Sequence, residues 1–233
     1  MCGRFNLTSP KAIEERFGFL DWHEKRIEPR FNIAPSQEIL MIQRPAGQER
    51  AIAQLAKWGF APFWAPPGPG KRPPPINARA ETLSRSPMFR EALSHGRCLI
   101  PANGFYEWQT QPGTGTRMPL HIRLASGALF AFAGLWTPGP GGGRPTATII
   151  TCGPNSLMAA IHTRMPVILR PQDEAVWLDP TVTEPEVLTR LLRPYAPEAM
   201  EAYPVSARVN AFQNDGPDLI EPATTSQSQL ALF

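Results

Sequence analysis

Leu120-His121-Ile122-Arg123-Leu124, Phe130-Ala131-Phe132-Ala133 and Thr146-Ala147-Thr148-Ile149-Ile150-Thr151 follow one another along the chain and decide its fold class. In the first run apolar residues alternate with polar ones, in the second phenylalanine alternates with alanine, and the third is β-branched apart from Ala147. A period of two in aromatic and β-branched residues is the pattern of strands with a buried face. Gly-rich turns at Pro112 to Gly115 and Gly139 to Gly143 make the neighbouring strands antiparallel.

Working towards the C-terminus, Asn155 caps a short helix through Met158 and Ile161 that ends at His162-Thr163-Arg164-Met165-Pro166. Val167-Ile168-Leu169 resumes a strand, and helices are expected around Asp173 to Leu178 and Pro185 to Leu192. Towards the N-terminus, Cys98-Leu99-Ile100 and Phe105-Tyr106-Glu107-Trp108 read as strands joined by Pro101-Ala102-Asn103-Gly104. Ser86-Pro87 caps a helix through Phe89 and Leu93, and Ser9-Pro10 caps another through Ile13 and Phe17. Ile39 to Ile42 and Ile52 to Trp58 are strands about the turn Pro45-Ala46-Gly47. The Pro/Gly-rich run Ala65 to Pro75 excludes regular structure and reads as a surface loop that delivers Ile76-Asn77-Ala78-Arg79 to a fixed place. The pattern is a single α+β domain over residues 1–222, mostly antiparallel, followed by a polar tail over 223–233 expected to be flexible.

The composition narrows the function classes. With 42% apolar residues in 233, the chain can bury a substantial core, and no apolar run is long enough to cross a bilayer. The N-terminus carries no signal-peptide pattern, so a cytoplasmic protein is expected. A net charge of +3 permits a polyanionic partner without requiring one. The 28 prolines, about twice the ordinary share, imply many loops and few long helices. Cys2, Cys98 and Cys152 lie far apart with no C-x-x-C pair, so neither a disulfide framework nor a metal site is expected, and no cofactor.

Cys2 follows Met1 directly. Removal of Met1 would set a free α-amine beside the thiol, two nucleophiles that can attack one carbonyl carbon: the amine condenses to an imine, and the sulfur closes a five-membered thiazolidine. Such chemistry needs a group to take the ammonium proton, an acid to shuttle protons, and polar groups to hold the substrate. Glu107, flanked by Phe105, Tyr106 and Trp108, which would desolvate its carboxylate, is a candidate base; a solvated strand glutamate is the ordinary alternative. His162, at a helix end, can transfer protons near neutral pH or serve only as a helix-terminal hydrogen-bonding group. Asn77 can orient an amine or a hydroxyl, or merely form a turn. His23, His95 and His121 read as structural.

Four stretches, Met1-Cys2-Gly3-Arg4-Phe5, Ile76-Asn77-Ala78-Arg79-Ala80-Glu81-Thr82, Gly104-Phe105-Tyr106-Glu107-Trp108 and His162-Thr163-Arg164-Met165-Pro166, together resemble the SRAP family (SOS response-associated peptidases, or abasic-site processing proteins). The resemblance extends to about Pro222 through Phe31-Asn32-Ile33-Ala34-Pro35, Trp58-Gly59-Phe60-Ala61-Pro62 and Pro204-Val205-Ser206. It implies a β-barrel-like sheet with a DNA-binding groove, and covalent capture of abasic sites in single-stranded DNA by a monomer in the DNA-damage (SOS) response. By position it makes Cys2 the nucleophile, gives Asn77 and Glu107 the amine, and gives His162 the sugar ring opening.

Single-stranded DNA requires cations for phosphates and flat groups for bases. Arg4, Arg79 and Arg164 each lie within two residues of a proposed catalytic position and are the expected phosphate contacts; an ion pair with Glu81 is the structural alternative. Trp64 is the candidate stacking platform or wedge, with a core tryptophan as its rival. Where many relatives carry a second aromatic, Ala65 stands. Three rival readings remain. One is an N-terminal-nucleophile amidohydrolase using Cys2, with Asn103-Gly104 as an oxyanion-hole pair. The second is a peptidase that removes Met1, and the third a single-strand-binding module in which Cys2 is incidental.

Overall fold

The computed structural model describes residues 2–17, 20–22, 27–62 and 73–223. The expectations placed on Met1, His23, Trp64 and the tail from residue 224 onward lie outside the described residues, as does most of the proline-rich loop.

In chain order the elements are β1 (Phe5–Leu7), α1 (Pro10–Arg16), β2 (Leu20–Trp22), β3 (Arg30–Ile33), β4 (Glu38–Gln43), β5 (Ala51–Trp58) and β6 (Asn77–Arg79). There follow α2 (Arg90–His95), β7 (Arg97–Ala102), β8 (Gly104–Thr110), β9 (Arg117–Leu124), β10 (Phe130–Thr137) and β11 (Thr146–Cys152). The chain continues through α3 (Ser156–Ala159), β12 (Met165–Pro166), α4 (Pro171–Leu178), α5 (Pro185–Leu191) and β13 (Met200–Pro204).

Strands β11, β10, β7, β4 and β5 pair in that order, and β5 pairs again with β11 through Thr146↔Lys57 and Ala147↔Trp58. Five strands therefore close into a barrel, which leaves no open edge along that ring. The side chains on one shared face of these strands fill it: Met41, Trp58, Ile100, Phe130, Phe132 and Ile149 are all buried. A second, antiparallel sheet runs β13-β9-β8-β1-β3. The fold is thus a mixed α+β domain with short helices, as the alternation and turns indicate.

Several expectations change in detail. β7 and β8 are separated only by Asn103 yet belong to different sheets, so the stretch read as a turn is a corner between layers. Asn103 makes that corner: its N–H donates to Asn6 O at 3.0 Å, and its Oδ1 accepts from the N–H groups of Thr8 and Ser9 at 2.8 and 3.1 Å. Residues 77–79 are not a loop tip but strand β6, parallel to β11. The helix after Ser86-Pro87 starts only at Arg90, because Ser86 O first closes a turn with the N–H groups of Phe89 and Arg90. Residues 167–169 make only the isolated bridge Phe132↔Ile168.

Two buried polar hubs hold the layers in register. Arg97 donates to the carbonyls of Leu93 and Ser94 at 2.7 Å each and of Trp177 at 2.7 Å, and also to Asp179 O, so one guanidinium caps the C-terminal ends of α2 and α4. Burial pushes Arg97 down to about 10. In the second sheet, Tyr203 donates its hydroxyl to Ile220 O at 2.8 Å, leaving its oxygen to accept from His121 Nδ1–H at 2.9 Å. His121 Nε2 then accepts from Asn6 Nδ2 at 2.6 Å. The imidazole is therefore neutral by construction, and burial lowers its pKa to about 3.

That depression sets an acid limit. Between about pH 6.5 and pH 3 the unfolded chain carries a proton on this base that the folded chain refuses. Stability is complete above pH 6.5 and falls as pH drops through the window, by an amount on the order of 4 kcal/mol from this residue. Urea unfolding of the native chain and of His121→Gln between pH 7 and pH 4 measures it. The native chain should lose stability more steeply, and identical slopes would remove His121 as the cause.

Candidate active site

Register brings Cys2 to its place. Phe5 pairs with Phe105 and Asn6 with Gly104, and the Tyr106 N–H donates to Arg4 O at 2.9 Å. Extending this antiparallel register sets Gly3 opposite Glu107, with Cys2 just beyond. Cys2 is fully buried, with its Sγ 3.9 Å from Arg4 O. The pairing of β6 with β11 at Ile149↔Asn77 delivers Asn77 to the same point, where its Nδ2 donates to Cys2 O at 2.9 Å. Asn77 Oδ1 is buried and accepts no hydrogen bond from the described residues.

Glu107 is only 3% exposed. Strand alternation places it on the face of β8 shared with Phe105 and Gln109. Tyr106 and Trp108 face the other way, into a second small core with Val205, Val209 and Leu219. They therefore do not desolvate Glu107, contrary to the sequence-based expectation; the main core does. Gln109 Nε2 donates to Ala160 O at 2.8 Å, which fastens the end of α3 over the face that carries Glu107. His162 follows two residues later, half-buried. His162 Nδ1 lies 3.0 Å from the Arg164 N–H and 3.3 Å from the Arg164 carbonyl oxygen, so the backbone of Arg164 orients the ring.

Burial holds the Cys2 thiol well above its ordinary pKa, and the charge of Glu107 adds to the shift. The resting group is a thiol, not a thiolate. Cys98 and Cys152 are also buried and free, and burial raises both, Cys152 to about 12.

The three arginines differ. Arg79 is exposed. Arg164 donates to both carboxylate oxygens of Glu81 at 2.6 and 2.9 Å and to the Thr151 carbonyl at 2.7 Å, and this pairing holds Glu81 below the usual carboxylate range. Arg4 Nη1 donates to Asn32 Oδ1 at 2.9 Å and Val209 O at 2.8 Å, and Nη2 to Asn210 O at 3.1 Å. Arg4 thus ties the Cys2 segment to the chain after β13.

Two residues escape sequence reasoning. Asn32, fully buried, donates Nδ2 to the carbonyls of Val209, Ala211 and Asn214 at 3.2, 3.1 and 2.9 Å. Asp215 accepts from the backbone N–H groups of Phe31 and Asn32 and from Arg30 Nε at 2.6 Å. Asn32 lies in a stretch that carries the family resemblance, but its partners are remote in sequence. Asn103 and Gly104, read as a possible oxyanion-hole pair, are committed to residues 6–9 and to β1 pairing. Among the described residues no three His, Cys, Asp or Glu side chains gather as metal ligands, and no helix is long and apolar enough to cross a membrane.

A barrel packed against a second sheet, with a buried cysteine just ahead of that sheet's strand β1, an asparagine of β6 bonded to it and a glutamate of β8 within electrostatic reach, defines a class of cysteine-centred sites. The family model for SOS response associated peptidase (SRAP) matches residues 1–212, and the chain belongs to that family. It is 46% identical over 227 residues to the abasic site processing protein YoqW of Bacillus subtilis (strain 168), covering 95% of this chain and 99% of that protein. The abasic site processing protein YedK of Escherichia coli (strain K12) is 28% identical over 232 residues, covering 95% and 100% of the two chains. HMCES of Gallus gallus, named likewise, is 32% identical over 237 residues, covering 87% of this chain and 69% of that one. A crystal structure of a protein from Bacteroides thetaiotaomicron shares the fold with a TM-score of 0.78 at 23% identity, covering 96% of this chain and 100% of the other.

Proposed function

We propose that the protein captures abasic sites in single-stranded DNA covalently, through Cys2, and so shields the lesion during the response to DNA damage. The observation that carries this reading is the meeting at Cys2 of Asn77, which holds its carbonyl at 2.9 Å while keeping a buried acceptor atom unused by the described residues. An amide presents oxygen and nitrogen side by side, as Cys2 presents its own nitrogen and carbonyl. With Met1 removed, the Cys2 amine would supply a donor for Asn77 Oδ1. The names of the relatives supply the substrate class.

The chemistry balances without a metal or a redox partner. The C1 hydroxyl of the closed sugar gives its proton to the His162 imidazole, the C1–O4′ bond breaks, and His162 passes that proton on to O4′. Glu107 accepts a proton from the Cys2 ammonium. The free amine adds to C1, and the carbinolamine loses water to give an imine. Because burial keeps the thiol protonated, the amine attacks first. Sγ then adds to the imine carbon while its proton passes to nitrogen, closing the thiazolidine. One water is released and no electrons are exchanged. Lyase-type strand cleavage is a side branch from the imine, and removal of Met1, as a self-directed peptidase step, would precede the whole sequence.

Incubation with a single-stranded oligonucleotide carrying one abasic site, followed by a denaturing gel, tests the reading. A band that survives heat and detergent is expected with the native chain, and its absence overturns the reading. Glu107→Gln should slow its appearance by about 10²–10⁴, the usual contribution of a positioned acid–base group. An unchanged rate would remove Glu107 from the proton transfer. Ammonia release from glutamine would instead favour the amidohydrolase, which the commitment of Asn103 and Gly104 argues against.

A further inference from the structure

Phe212 is 51% exposed, more than Met88, Val176 or Val187, the other large apolar side chains that reach solvent among the described residues. A single exposed phenylalanine is ordinary where the backbone is loose. Here the backbone on both sides is tied down. The buried Asn32 amide holds the carbonyls of Val209, Ala211 and Asn214, and Asn214 returns hydrogen bonds to Ala211 O at 3.1 Å and Arg208 O at 2.7 Å. Asp215 locks the loop to β3 through the Phe31 and Asn32 N–H groups. The ring is therefore presented to water by a rigid mount.

The mount is also joined to the reactive end of the chain. Arg4, two residues from Cys2, donates to Val209 O and Asn210 O, and Trp108 Nε1–H, on the face of β8 opposite Glu107, donates to Asn210 Oδ1 at 2.7 Å. Along the chain Phe212 is set among Asn210, Ala211, Gln213, Asn214 and Asp215, a small and polar stretch. One aromatic face in a polar setting is too small an apolar area for protein docking, but it suits the face of one unstacked base.

We propose that Phe212 is a stacking platform for a base of single-stranded DNA near the sugar held at Cys2. This rests on the function proposed above, and the test separates the two. The oligonucleotide carries a tetrahydrofuran abasic analogue, which has no aldehyde and cannot be trapped, with the fluorescent base 2-aminopurine beside it. The native chain should bind it and quench the emission. Phe212→Ala should bind about tenfold more weakly, in line with the loss of one base–aromatic stack, and quench less. Phe212→Trp should restore both readings, whereas Phe212→Leu, apolar but without a π face, should not. Native affinity and quenching in Phe212→Ala, or equal rescue by leucine and tryptophan, overturns the proposal while leaving the Cys2 chemistry untouched. Failure of the native chain to bind the oligonucleotide overturns both.

Discussion

Replacing Cys2 with alanine is expected to reduce heat-stable crosslinking to single-stranded abasic DNA by more than about 100-fold, because the alanine variant keeps the amine but loses the intramolecular sulfur that makes the adduct durable. An imine alone hydrolyses or passes to β-elimination. Cys2→Ser is the informative companion, since its hydroxyl is a far weaker nucleophile in the same place: it should give strand cleavage and borohydride-trappable imine, but little adduct that outlasts heating. Both variants should fold, since the site loses one sulfur or exchanges it for oxygen at the end of the chain. Equal heat-stable crosslinks from the serine variant and the native chain would remove ring closure from the scheme.

Gly104→Ala is expected to cost stability on a comparable scale. An added Cβ would stand 2.2 Å from His121 Nε2, 2.7 Å from Cε1 and 3.0 Å from Ile122 O. The imidazole cannot swing aside without breaking its bonds to Asn6 and Tyr203. Overpacking and loss of that buried network together amount to about 3 kcal/mol or more, a fall of roughly 6–12 °C in Tm for a chain of this size. Gly153→Ala is the control: no atom lies within 4 Å of its added Cβ, and the change should stay within about 0.5 kcal/mol. Thermal unfolding of the two variants compares them directly, and similar Tm values would mean that the His121 network yields easily.

Much of the barrel is legible in the sequence because β4, β5, β10 and β11 are long enough to show a period or a β-branched run. The second sheet is less so. β1, β3 and β13 are three to five residues long, and their identity comes from pairing with distant strands rather than from local pattern. β6 hides for the same reason, three residues between a proline-rich loop and a 3₁₀ turn. At the site, Cys2, Asn77, Glu107 and His162 are individually ambiguous, and only the family resemblance selects them; the fold then brings Asn77 against Cys2 and Glu107 within electrostatic reach of it. What the sequence conceals is the internal employment of the cations. Arg4 finds its partners 28 and 205 residues away, and Arg164 finds Glu81 83 residues away. Reading Arg4 and Arg164 as phosphate contacts from chain proximity therefore overstates the free charge, and the loop that displays Phe212 is held by contacts that no local window contains.

Intact-mass spectrometry of the native chain before and after exposure to a single-stranded abasic oligonucleotide tests the central claim most directly. The expected result is a protein lacking Met1 and an adduct weighing the sum of protein and DNA less one water, unchanged by reducing agent. Active material that retains Met1, or an adduct that forms equally with Cys2→Ala, would contradict it.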